Sequence, residues 1–153
     1  MRHPYYIKMV YGSSTPDGRA WQEGGEYNLH FAEDQRKLCN RFVEATGVLV
    51  YETKHSGSER AGSQRIFARA TINAINCEDV WDKEPVVDDK GKKYPLGVNV
   101  RFDKIVPSEQ GLTLEEVYEL CPRLTNHFKQ VKGGLIGITS DEFIALKKVL
   151  DKR

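Results

Sequence analysis

The stretch from Gly47 to Asn76, GVLVYETKHSGSERAGSQRIFARATINAIN, constrains this chain most strongly. It reads as two apolar strands joined by a Gly/Ser-rich loop that carries Lys54, His55 and Arg60. The second strand alternates: Ile66, Ala68, Ala70, Ile72 and Ala74 fall on one side, and Arg65, Phe67, Arg69, Thr71 and Asn73 on the other. A period of two belongs to a strand with one face on a core. The chain must therefore build a sheet around this pair, with a basic loop at one end suited to holding a partner and no evident reaction centre within it.

The rest of the chain has to supply that core. At 153 residues it fits a single domain, 1–153, large enough to fold without a staple. With 23 basic and 22 acidic residues, overall charge points to no class of partner. Charge is instead local: four cations stand against one acid between Lys54 and Arg69, and six acids against four cations between Glu78 and Lys93. Cys39, Cys77 and Cys121 are an odd, scattered set without zinc-ligand spacing, which is expected of plain thiols in a reducing, cytoplasmic setting. No apolar run approaches the roughly 20 residues of a membrane span, so no membrane partner is expected, and no cofactor motif is present.

Tyr5 to Tyr11 reads as a first strand, followed by a turn-rich segment through Asn28. Phe31 to Val43 places Phe31, Leu38, Phe42 and Val43 near one helical stripe. After the Gly47–Asn76 pair comes an acidic, turn-rich crossing from Trp81, then a strand from Leu96 to Val106. Thr113 and Glu116 have capping-box spacing for a helix over Leu114 to Leu120 that stops at Pro122, and Leu124 to Gln130 adds another turn or two. Gly134 to Ile138 forms a buried strand, and Ser140 is expected to cap a final helix from Asp141 to Asp151. The order β, α, β, β, β, α, β, α suggests an α+β fold: a small, mixed, mostly antiparallel β-barrel with peripheral helices.

Three features together resemble the PUA-like superfamily, and within it the EVE domain. They are the element order, the pair "VYETKHS" and "RIFARATI", and the closing segments "YPLGVNVRFDKIVP" and "GGLIGITSDEFIALKKVL". The resemblance covers nearly the whole chain. It departs where YGSST follows the first strand in place of the Lys-Ser-Glu-Pro turn of many EVE domains. It implies a non-catalytic domain that binds DNA or RNA carrying a modified base, by analogy with the YTH and SRA readers. Such a reader often serves a modification-dependent restriction system, with a fused or associated nuclease or translocase as partner.

A pocket for a flipped base needs flat walls, polar groups at the base edge and cations for flanking phosphates. The wall candidates are Trp21, Tyr51, Tyr11 and Trp81; the edge candidates are Ser13, Ser14 and Thr53. Lys54, His55, Arg60, Arg65 and Arg69 are the phosphate candidates. Each has a plainer reading as packing or solvated surface. The sharpest rival is a Mg²⁺-dependent nuclease of PD-(D/E)xK type, in which Asp17 and Glu52 hold the metal and Lys54 assists water. In that reading Asp17 sits in a turn and no helix follows Lys54, so the motif lacks its usual context. A protein-interaction module using the basic loop is the third reading.

Overall fold

The computed structural model describes residues 4–10, 21–53, 63–88, 90–129 and 134–153. Eight strands form one sheet: β1 (Tyr5–Val10), β2 (Glu26–Phe31), β3 (Gly47–Glu52), β4 (Arg65–Ile72), β5 (Glu78–Asp79), β6 (Leu96–Ile105), β7 (Leu112–Thr113) and β8 (Leu135–Ile138). The order is β2-β6-β4-β3-β1-β8, with β5 pairing to β6 and β7 to β4. Among the described residues only β1 and β3 run parallel, and the other strand pairings are antiparallel. The helices are α1 (Arg36–Phe42), α2 (Leu114–Leu120), α3 (Leu124–Lys129) and α4 (Ser140–Asp151). This is the expected α+β class, with a mixed, mostly antiparallel sheet curled into a half-barrel and helices at its periphery.

Register shows which face lies inside the curl. Tyr6 and Lys8 oppose Val48 and Val50, which oppose Ala70 and Ala68 in turn. Ala70 opposes Phe102, while Val100 and Val98 oppose Tyr27 and Leu29. The members of this row from Val48 through Phe102 are buried, as the alternation in β4 requires. β2, at one end of the order, and β1, next to the other end, meet across the interior, since the Lys8 Nζ lies 4.3 Å from the centroid of the Phe31 ring. A flat sheet would hold these residues several strand widths apart, so the contact measures the curl directly.

The helices close the remaining surfaces. α1 turns Cys39 and Phe42 inward, and Phe42 packs on Phe31 and Tyr6 at centroid distances of 5.3 and 6.2 Å. α4 buries Leu146 and Leu150, and its Phe143 stacks on Tyr5 at 4.7 Å. Its N-cap is Thr139, one residue before the expected Ser140: the Thr139 Oγ1 accepts the Glu142 N–H at 3.1 Å, and Glu142 returns a bond to the Thr139 N–H at 2.9 Å. The reciprocal bonds need the T-x-x-E spacing that only Thr139 offers. Thr113 and Glu116 form the predicted box on α2.

Three other expectations change. The turn-rich segment contains β2, because the EYNLHF alternation supplies an interior row and β6 supplies a ladder, so the Gly24–Gly25 turn ends sooner than composition suggests. The helix expected from Phe31 is a 3₁₀ turn at Glu33–Gln35 followed by α1, with Phe31 completing β2. Cys39 and Cys77, separated by 38 positions, form a disulfide, and only Cys121 remains a free, buried thiol among the described residues. Scattered cysteines gave no sign of this pairing, which depends on α1 packing beside the strands.

The close approach of β7 to β4 depends on Gly111. A β-carbon there would stand 2.6 Å from the Ile66 carbonyl oxygen, which is backbone and has no rotamer to yield. Gly111→Ala is therefore expected to destabilise the domain by about 1–3 kcal/mol, the usual cost of overpacking. A denaturation midpoint equal to that of the parent would show that the strands can separate without cost.

Candidate ligand cavity

A cavity of about 350 Å³ lies where the half-barrel fails to close. One wall comes from β1 (Lys8, Met9, Val10) and the facing wall from the edge strand β2 (Asn28, Leu29, His30). Val86, Lys92 and Tyr94 from the crossing before β6 line it too. Trp21, Gln35, Thr53 and Gly134 complete the lining. A sheet that curls without sealing leaves β2 and β1 facing each other across a gap, and the cavity occupies this gap. The volume is near the lower end of the roughly 300–1,000 Å³ seen for small-molecule sites, enough for one ring system.

The aromatic wall is held in place from behind. Trp21 stacks near-parallel on Phe67 at 5.8 Å, meets Phe102 edge-on at 4.8 Å and touches Tyr27 at 5.8 Å. Phe67 and Phe102 are themselves buried, so the indole rests on core.

Lys8 gives the cavity its electrostatic character. It is 5% exposed, and its Nζ donates to the Met9 carbonyl oxygen at 3.2 Å. No carboxylate among the described residues pairs with it, and burial brings its pKa from 10.5 down to about 7. His30 is half-buried, and desolvation lowers its pKa against the pull of Glu84. Its Nε2 sits 3.1 Å from Glu84 Oε1, while the other carboxylate oxygen accepts from Asn28 Nδ2 at 2.7 Å. A backbone contact to Tyr94 also raises the His30 pKa, yet Nδ1 has no partner of hydrogen-bond geometry. Lys92 lies 3.6 Å from Asp34.

Two of the residues singled out from sequence, Trp21 and Thr53, meet at this cavity. Tyr51 does not reach it: the side chain is 5% exposed, lies edge-on to Phe128 at 5.3 Å, and burial pushes its phenol up to about 12. Trp81 is half-buried outside the lining, with the Lys93 ammonium 5.1 Å from its ring. Arg69 has partners within the fold, donating to Asp151 at 2.7 Å and standing 4.0 Å from Asp103. Arg65 donates to the Glu109 and Gly111 carbonyl oxygens at 2.6 and 3.2 Å. Tyr11, Ser13, Ser14, Asp17, Lys54, His55 and Arg60 lie outside the described residues. Glu52 is buried and accepts the Ser63 N–H at 2.6 Å, and no group of three metal-binding side chains occurs among the described residues.

Sequence reasoning passed over Lys8, Asn28, His30 and Lys92. Lys8 carried only a weak signal, a lone cation in the strand YYIKMVY whose two faces are both apolar. His30 and Asn28 became visible only once β2 was recognised as a strand.

No family model matches the chain, and no curated protein matches it. Its fold is similar to that of a protein from Rhodopseudomonas palustris, at 14% identity and a TM-score of 0.59 over 97% of this chain and 93% of that one. A hypothetical protein from Leishmania major aligns at 16% identity and a TM-score of 0.57, covering 99% of this chain and 96% of that one. A protein from Pseudomonas syringae gives 14% identity and 0.58, over 95% and 99%. At these identities the likeness establishes a shared small α+β half-barrel domain and nothing about activity.

Proposed function

We propose that this chain is a non-catalytic, EVE-type domain of the PUA-like superfamily that binds DNA or RNA and holds one modified base in the cavity between β1 and β2. The observation that carries the reading is the cavity itself: a gap of about 350 Å³ with the Trp21 indole on one side and Lys8, Asn28, His30 and Thr53 around it. A flat, rigid wall backed by core aromatics suits stacking on a ring, and the polar side chains suit recognition of its edge. Selectivity would come from differential affinity, because a weakened or single-stranded site loses less stacking when its base is extruded. Lys92 at the cavity and the basic loop of Lys54, His55 and Arg60 are the phosphate-binding candidates. Arg65 and Arg69, engaged within the fold, are weaker ones.

The test is a panel of matched oligonucleotides, unmodified or carrying methylated or hydroxymethylated cytosine or methylated adenine, with Mg²⁺ present. The expected result is preference for one modified strand without cleavage. Trp21→Ala should weaken that binding by about 1–3 kcal/mol, the range for loss of one stacked base, with the variant still folded by circular dichroism. Equal affinity for every strand would remove the reader assignment, and cutting abolished by Glu52→Ala would replace it with the nuclease.

A further inference from the structure

The described side chains lining the cavity include two lysines and a histidine but no aspartate or glutamate. Acids around it are engaged elsewhere: Glu84 holds His30 and Asn28, Asp34 lies by Lys92, and Glu52 accepts the Ser63 N–H. The Lys8 Nζ sits beside Gly134, where a β-carbon would come within 3.5 Å of it, and among the described residues it makes one hydrogen bond of the three that an ammonium can donate. Burying an amine this completely beside an aromatic face, without a carboxylate, costs stability and gives the fold no packing benefit that a methionine would not supply. Such a group makes sense where something enters to meet it.

We infer that the occupant of this cavity carries an anionic oxygen that pairs with Lys8, with its ring against Trp21. The inference deepens the reading above, on which it rests for the cavity as the ligand site, and narrows the occupant to an acidic one. Two sources supply that oxygen: an acid on the ring, or the phosphate of an extruded nucleotide. An anion entering the cavity stabilises the ammonium form, so binding takes up a proton whenever the empty site holds the neutral amine. The titratable groups packed around Lys8 are His30 on β2, whose pKa Lys8 lowers and behind which Glu84 sits, Lys92 on the crossing segment, which lines the same cavity, and the buried Glu52 at the end of β3, on the same strand parity as Val50 opposite Lys8. His30, its pKa lowered by burial, is neutral over the range where Lys8 titrates, so Lys8 dominates the pH response above 7.

The experiment is calorimetric titration of the intact chain with orotate, uracil, uridine and uridine 5′-monophosphate. A ring acid predicts that orotate binds at least tenfold tighter than uracil; a phosphate predicts the same margin for the monophosphate over uridine. The favoured anion should weaken about tenfold per pH unit as the pH rises above 7, and Lys8→Met should remove its advantage. Because this substitution replaces a buried charge by an apolar chain of similar length, the variant is expected to fold, and the pH series on the unaltered protein is an independent readout. Equal binding of charged and neutral probes, or an anion advantage intact in Lys8→Met, overturns the inference and leaves the base-binding reading standing. So does the absence of any small-probe binding alongside Trp21-dependent binding of a modified oligonucleotide. Lys8-dependent anion binding without any oligonucleotide binding keeps the inference and removes the nucleic-acid reading.

Discussion

Lys8→Met should stabilise the ligand-free domain by about 2–4 kcal/mol at pH 7. The lysine pKa falls from 10.5 to about 7 on folding because the ammonium leaves water and no described acid receives it. A displacement of that size corresponds to about 4–5 kcal/mol when the amine is protonated in both states. The loss of the Met9 carbonyl bond reduces the gain by about 1 kcal/mol. Folding here favours the neutral amine, so the sign of the pH dependence is opposite to that of a paired lysine. The penalty is full below pH 7, declines as the pH rises, and vanishes above the unfolded value of 10.5. Between pH 7 and 8.5 the parent should regain roughly 1–2 kcal/mol that the variant does not. That window stays below the titration of Cys121, whose thiol burial pushes up to about 11. Urea denaturation of both proteins at the two pH values decides the matter. A variant no more stable than the parent, with the same pH slope, would mean that Lys8 is solvated or paired.

Opening the Cys39–Cys77 bridge should cost about 3–4 kcal/mol, since cross-links 38 positions apart fall between the short and long loops for which chain-entropy values are known. Cys77→Ser is the cleaner variant, because Cys77 is half-buried whereas Cys39 is fully buried among core residues. The parent in reductant should match Cys77→Ser without it, and reductant should leave the variant unchanged. If parent and variant have equal midpoints in oxidising buffer, the two sulfurs lie close without bonding. A stable bridge ordinarily belongs to an oxidising compartment, so the reducing setting expected from scattered thiols loses its basis.

Both effects concern residues that looked unremarkable in one dimension. Lys8 is one cation in a strand whose two faces are both apolar; that it is buried, with Glu84 taken up by Asn28 and His30, no local pattern records. Trp21 and Thr53 were legible as candidates because aromatics and hydroxyls near turn-rich segments are frequent binding residues. Their meeting at one cavity follows from β2 and β1 facing each other across the gap. Tyr51 drew notice for the same chemistry but lies on the opposite parity from Val50 and Glu52, where it packs against Phe128.

The sequence alone determined what local physics controls: the strand alternation of Arg65 to Ile72, the Thr113 to Glu116 capping box, the amphipathic α4 and hence the α+β class. Each depends on contacts spanning a few residues, whose spacing is written in the chain. Tertiary structure alone decided the curl of the sheet, the disulfide and the burial of Lys8 at the cavity. These depend on partners tens of positions apart, such as Lys8 and Phe31 or Cys39 and Cys77, whose meeting is set by the packing of the whole core rather than by any pattern within a segment.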